Sequence, residues 1–331
     1  MSKVLYVCSF FRNFAPCLHI RMMNIVLVHD VVLPVRKYGG TERVVWSLGQ
    51  ELSRMGHHVT FLLRKGSSCD FAKLIEIDPT RSIGSQIPAE ADIVHFQDTA
   101  QTADLKKPFV VTINGNKDED DIPENSIFVS RNHAERYGHQ TFVYNGLDWD
   151  EYGPVDLNRE RHGFHFLGKA AWRVKNVKGA IRITKRVRGA TLEVLGGHRL
   201  NLKMGFRLTL DPRIHFHGMI DNAQKKQIIE QSLGLIFPVL WHEPFGLCLT
   251  ESLYYGAPVY GTKMGSLPEI ITPEVGWLGD NEEQITDYLN TNPSFSPQQC
   301  HDYAVELFNS RKMAEEYLKK YEQVLNGEQL L

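Results

Sequence analysis

No apolar run in this chain approaches the roughly 20 residues that a helix needs to span a bilayer, which sets aside a membrane-spanning class. Cysteine is scarce: Cys8, Cys17, Cys69, Cys248 and Cys300 are scattered through 331 residues with no C-x-x-C pair. That pattern excludes a zinc ribbon or a disulfide framework and suits reduced thiols in the cytoplasm. An excess of one charge is also lacking, since 37 Lys and Arg against 39 Asp and Glu leave a net charge of −2. Bulk nucleic-acid binding is therefore not indicated, whereas peripheral contact with the inner face of a membrane stays open. The G-x-G-x-x-G fingerprint of dinucleotide-binding folds is missing after the first strand, which counts against a dehydrogenase.

What is present is alternation. Short apolar runs suited to buried parallel strands alternate with helical patterns, so the chain reads as α/β, and its length suggests two domains. Residues 1–22 form an N-terminal extension, too early broken by Arg12 for a signal peptide; with Met22 and Met23 directly before the first strand, translation is expected to start there. Residues 23–160 read as a first Rossmann-like domain with strands at 24–29, 58–63, 93–96, 109–113, 127–129 and 142–144. Its first helix carries Val44, Val45, Leu48 and Leu52 on one face, with Thr41 as the expected N-cap. Residues 161–300 form the second domain, beginning with the strand Phe164–Gly168 after a polar linker, and residues 301–331 are expected to be helical.

The densest signal is the segment from His242 to Glu251, which places two glutamates eight residues apart around a strand-to-helix turn. Ahead of it, residues 233–238 read as a buried strand ended by Pro238. Gly246 permits close backbone approach, and a helix starting near it would turn unpaired N–H groups toward an anion. Glu243 before the helix and Glu251 on it can then accept hydrogen bonds from separate hydroxyl pairs of one elongated ligand. A second loop, Gly265 to Glu269, follows the next strand and faces the same crevice.

These residues resemble the retaining glycosyltransferases of family 4, whose carboxyl domains carry E-P-F-G-L, a second glutamate eight residues on, and then G-x-L-P-E. The resemblance covers roughly residues 23–325 and implies the GT-B fold, two Rossmann-like domains facing each other across a cleft, with the last helix crossing back to the first domain. It implies a donor nucleotide on the second domain, with its ribose on Glu251 and its sugar on Glu243 and the segment Pro244, Phe245, Gly246 and Leu247. The acceptor would enter from the first domain. Gly39-Gly40, followed by Glu42-Arg43-Val44-Val45, resembles the family loop that faces the diphosphate.

Between Gly163 and Leu192 stand eight Lys or Arg and no Asp or Glu. Lys178, Arg182, Lys185 and Arg186 suit a solvated helix face, but Lys169, Arg173 and Lys175 lie in the loop before that helix. The family loop usually reads G-R followed by K-N or K-G. Lys175 matches that lysine, Lys169 replaces the arginine with a point charge, and Arg173 could compensate. Such cations would stabilise the departing diphosphate.

Acceptor-side residues are His95, which is also compatible with a satisfied core histidine, Gln97, standing where the family commonly has a functional histidine, Asn114 and Ser130. Gln97 can hydrogen-bond a sugar hydroxyl but not transfer a proton. Asp118 to Asp121 reads as a solvated acidic loop, and His215 with His217 lacks a third ligand. No metal and no other cofactor is expected. The resemblance thus implies a retaining transferase of a UDP-, GDP- or ADP-sugar to a glycan, lipid-linked or small-molecule acceptor, with surface-polymer or lipid-linked glycan assembly as the family-level setting. Two alternatives remain: a non-catalytic nucleotide-sugar-binding subunit, and a nucleotide-sugar epimerase on the same fold.

Overall fold

The structure, a computed structural model, describes residues 21–35, 39–202 and 204–330. Most of the expected N-terminal extension, residues 1–20, lies outside the described residues, as does the end of the first strand-to-helix loop at 36–38. The first half is a parallel sheet of β1 (Asn24–His29), β2 (His58–Leu63), β3 (Lys73–Glu76), β4 (Ile93–Gln97), β5 (Phe109–Ile113) and β6 (Ser126–Phe128), in spatial order 3-2-1-4-5-6. Ile25 to Val28 are all buried, as helix-covered faces on both sides of a parallel sheet require.

Helix α1 (Gly40–Arg54) presses Val44, Val45, Leu48 and Leu52 onto this sheet. Gly49 allows the close fit, because a Cβ there would come within 2.4 Å of Phe61 Cζ. Thr41 is not the cap that the sequence suggests. The helix begins two residues earlier, with Gly39 at the N-cap and a φ of 132°, a conformation that glycine takes without a Cβ penalty. Helix α2 (Arg131–Glu135) follows β6 and is capped by Ser130, whose Oγ accepts from His133 N at 3.1 Å.

The second half repeats the plan. Its strands are β7 (Phe164–Leu167), β8 (Leu192–Leu195), the hairpin pair β9 (Leu200–Asn201) and β10 (Arg207–Leu208), β11 (Ile214–Phe216), β12 (Leu235–Phe237), β13 (Val259–Thr262) and β14 (Gly276–Gly279). All but the hairpin form one parallel sheet in the order 11-8-7-12-13-14. The connecting helices are α3 (Val177–Arg186), α4 (Asn222–Ile229), α5 (Leu247–Tyr254), α6 (Leu267–Ile270), α7 (Glu282–Asn290) and α8 (Pro297–Leu307), and α9 (Ser310–Leu325) ends the fold. The chain is thus two Rossmann-like domains, and one apolar cluster runs continuously through both.

Two expected elements come out differently, and one strand is unexpected. Phe142–Tyr144 makes only an isolated bridge to Phe128, because the chain then leaves the sheet for the junction of α8 and α9, where Leu147 N donates to Phe308 O at 3.0 Å. The helical stretch at 301–325 is two helices broken at Phe308-Asn309, and Asn309 caps the second. Strand β3 has no counterpart among the expected strands, since its ends are the exposed Lys73 and Glu76 and neither middle residue is buried. Helix α8 packs on α5, while α9 lies on α1 and β5.

Candidate functional site

Strand ends from both sheets open onto one cleft of about 570 Å³, within the size range of small-molecule sites. Its walls include Gly40, Arg43, Asp98 and Asn114 from the first domain and Lys169, Lys175, Lys225, Trp241, Glu243 and Glu251 from the second. Pro244, Phe245, Gly246 and Leu247 complete the floor. The two domains approach closely at Gly40, where a Cβ would stand 3.2 Å from Leu247 Cδ1.

Glu243 is fixed before any ligand arrives. Lys175 Nζ donates to its Oε1 at 2.7 Å and its Oε2 at 2.6 Å, and Trp241 Nε1 donates to Oε2 at 2.7 Å. Lys175 also lies 5.0 Å above the Trp241 ring, a favourable cation-to-ring contact. The loop that carries Lys175 ends in Asn176, whose φ of 55° is left-handed. Its Oδ1 caps α3 at 2.9 Å and its Nδ2 reaches Pro238 O at 2.8 Å, tying the lysine loop to the strand that leads to Glu243. The carbonyls around Glu243 are held from both domains: Asn116 Nδ2 donates to His242 O at 2.9 Å, Ser130 Oγ to Pro244 O at 2.6 Å and Ser266 N to Glu243 O at 2.9 Å.

Glu251 is the centre of a second charged group. Its Oε1 accepts from Arg43 Nη1 at 2.6 Å, from Tyr152 OH at 3.0 Å and from Lys225 Nζ, while Oε2 receives Arg43 Nη2 at only 3.4 Å. Arg43 also bonds the Tyr152 hydroxyl. Burial would raise the Glu251 pKa, but Arg43 and Lys225 outweigh it and hold the carboxyl at about 2. Burial lowers the pKa of Lys225, and the pull of Glu251 offsets this only in part, with Arg43 adding repulsion.

The remaining expected site residues are placed unevenly. Lys169 lines the cleft with its ammonium 5.1 Å from the Trp172 ring, whereas Arg173 is exposed outside the lining and does not take over the missing arginine's place there. Gly39 lies just behind the wall, its carbonyl accepting from Arg43 Nε at 3.2 Å. His95 does not reach the cleft. It is fully buried under α9, with Nδ1 2.7 Å from Tyr321 OH and Nε2 2.7 Å from Thr112 Oγ1, and burial brings its pKa down to about 3. Of the two readings of this histidine, the satisfied core residue is the one the geometry supports. Gln97 is one layer behind the wall, accepting at Oε1 from Asn114 Nδ2 at 3.0 Å, so Asn114 is the residue that faces the cleft. Ser130 is a cap and a cross-domain tie, not a cleft residue.

His215 and His217 both hold Glu193, at 2.7 and 2.5 Å, and Glu119–Asp121 is a single 3-10 turn. Among the described residues no three His, Cys, Asp or Glu side chains are grouped to hold a metal. Arg43, Lys225 and Trp241 join the site without a sequence signal of their own. Arg43 follows the Gly39-Gly40 pair and Trp241 directly precedes His242, but nothing local marks Lys225, whose role comes from its reach from α4 to Glu251 on α5.

Residues 161–291 match the family described as glycosyl transferases group 1. A curated relative from Klebsiella pneumoniae, described as an uncharacterized 41.2 kDa protein in the cps region, is 26% identical over 113 residues, 32% of this chain and 31% of its own length. The chain thus spans about a third of that relative. Among solved structures, AviGT4, a glycosyltransferase involved in avilamycin A biosynthesis, is 18% identical with a TM-score of 0.74, covering 93% of this chain and 100% of its own. HepE of Anabaena in complex with UDP-glucose is 15% identical with a TM-score of 0.67, covering 91% of this chain and 100% of its own. The fold of this chain is the GT-B arrangement of such glycosyltransferases.

Proposed function

We propose that this chain is a retaining glycosyltransferase that takes a nucleotide-sugar donor without a metal ion. The observation that carries the reading is Glu243, held by Lys175 and Trp241 at the mouth of the turn into α5, in a cleft that also presents Lys169, Arg43 and Lys225. A donor diphosphate carries about as much negative charge as two of these cations neutralise. Lys169 and Lys175 would take it, freeing one carboxylate oxygen of Glu243 for sugar hydroxyls, while the N–H groups opening α5 point at the same oxygens. The ribose would donate to Oε2 of Glu251, the more lightly engaged oxygen. The match of residues 161–291 to group 1 glycosyl transferases and the UDP-glucose held by HepE support this donor class. The cps-region setting of the Klebsiella relative supports surface-polysaccharide assembly, with a glycan or lipid-linked acceptor.

In the transfer, the bond between the sugar's anomeric carbon and the β-phosphate oxygen breaks, and an acceptor hydroxyl bonds that carbon from the same face. The hydroxyl proton passes to the departing phosphate. The lysines stabilise the charge that builds there, an electrostatic role worth several kcal/mol when preorganised. Asn114, whose Nδ2 donates to Gln97 Oε1, would orient the acceptor.

The test is nucleotide release from a panel of UDP-, GDP-, ADP- and CMP-sugars with membrane extract and EDTA present, on wild type and Glu243→Gln. Selective release that falls at least about 100-fold in the variant is expected, with the product's anomeric configuration unchanged by NMR. Loss of release in EDTA would refute metal independence, inversion would refute retention, and donor binding without release under every condition would favour the non-catalytic subunit.

A further inference from the structure

The hairpin of β9 and β10 reverses the usual sense of a period-two pattern. In the segment His198-Arg-Leu-Asn-Leu-Lys-Met-Gly-Phe-Arg-Leu-Thr-Leu210 the alternate residues Leu200, Leu202, Met204, Phe206, Leu208 and Leu210 are apolar, and each is between 44% and 78% exposed. On the β10 side the polar residues between them turn inward: Arg207 and Thr209 are buried. Arg207 is held there by its Nη2 donating to His198 O at 2.9 Å and by its guanidinium lying 4.7 Å above the Phe216 ring. A strand face sorted by solvent alone would take the opposite register, so the fold keeps an arginine under the hairpin and presents the aliphatic side outward. Six such residues on one projecting ribbon exceed the scattered apolar exposure of an ordinary surface.

Along the ribbon itself the charge is of one sign. No carboxylate occurs from Val194 to Leu210. Arg199 is exposed at the base, and exposed Lys178 on α3 donates to Phe206 O at 3.4 Å. Arg186 and Arg188 are exposed at the far end of α3 and just past it. The nearest acids are already engaged, Asp211 with Arg213 at 3.2 Å and Glu193 with His215 and His217. An isologous contact between two copies would bring these basic collars together, whereas anionic head groups complement them. Aliphatic side chains and one phenyl ring inside a basic collar are the composition of an interfacial anchor. No helix among the described residues is long and apolar enough to cross a membrane, so this anchor would dock on the surface.

We propose that the β9–β10 hairpin inserts its apolar face into an anionic lipid bilayer, with Lys178 and Arg199 on the head groups. The hairpin leaves β8 just after Leu195 and Gly196, which line the cleft, and returns to β11 shortly before Met219, which lines it as well and is 38% exposed. Docking would therefore set the cleft mouth beside the membrane. The inference stands on the hairpin alone and not on the transferase reading.

The experiment is co-sedimentation of the full chain with vesicles of phosphatidylcholine alone or mixed with phosphatidylglycerol, over a salt series, with sedimentation velocity of the free protein. Wild type is expected to bind the mixed vesicles and to release as salt rises. Leu202→Ser/Phe206→Ser should bind them about tenfold or more weakly while keeping the wild-type melting midpoint. Lys178→Glu/Arg199→Glu should abolish the preference for the anionic lipid. Equal binding by wild type and the serine variant, or no binding of wild type at low salt, would overturn the proposal. A wild-type dimer that the serine variant turns into monomer would overturn it too, by assigning the face to self-association.

Discussion

Glu251 illustrates how one residue's chemistry is decided by partners far along the chain. Arg43 is 208 positions away and Lys225 is 26, and both are largely buried beside the carboxylate. Glu251→Gln would leave two cations in a low-dielectric site with a neutral partner, and breaking such a group by removing one member costs about 3–5 kcal/mol. Urea denaturation at neutral pH should show that loss, and an unchanged midpoint would mean that water or rearrangement already compensates both cations. The acid limb gives a second readout. The carboxyl is held at about 2 against an ordinary 4.5, so the unfolded state binds the proton first. Its contribution is complete above 4.5 and disappears as pH falls toward 2, and the Gln variant should lose that part of the slope. The glutamate pair itself was legible in the sequence because its spacing and its Pro-Phe-Gly turn are local. The engagement of Glu251 with Arg43 and Lys225 was not, because it joins α1, α4 and α5.

At the level of elements, the turn that carries Glu243 depends on the loop opposite. Gly265 has a φ of 62°, and a Cβ there would stand 2.2 Å from Glu243 N and 2.4 Å from Glu243 O. Gly265→Ala therefore costs strain of about 1–3 kcal/mol and displaces the Glu243 backbone. Calorimetric titration with the donor selected by the release assay should show binding weakened about tenfold for each 1.4 kcal/mol that reaches the site; wild-type affinity in this variant would break the link between the two loops. Strongly apolar strands such as β1, β5 and β12 were readable because burial on both faces leaves little compositional choice. Strand β3 was not, since it is an edge strand with charged ends. The break between α8 and α9 depends on the Leu147–Asn309 bridge, a tertiary contact that no local pattern announces. The β9–β10 hairpin is not readable as a buried strand pair because its alternation points apolar residues away from the core.

Across the whole molecule, a few polar contacts and one close apolar approach close the cleft. Glu269 on α6 accepts from Arg131 N at 2.8 Å, Asn132 N at 2.9 Å and Tyr144 OH at 2.6 Å, so one carboxylate of the second domain grips the start of α2 and the strand-end region of the first. Arg43 with Glu251 makes a second clasp and Leu247 against Gly40 fills the space between. Helix α9 holds the domains from behind through Met313, Tyr317 and Tyr321, so relative motion is left to the segments around residues 153–163 and 307–310. Hydrogen bonds to a charged group contribute about 1.5–3 kcal/mol each when a partner is removed, enough that losing Glu269 shifts an open-to-closed balance by tenfold or more. Small-angle scattering of ligand-free Glu269→Ala should give a larger radius of gyration than wild type, reversed on adding donor, because donor contacts from both walls would replace the missing clasp. An unchanged radius would place the closing force in α9 and the apolar interface, and the cleft would then be a fixed groove that admits its ligand without opening.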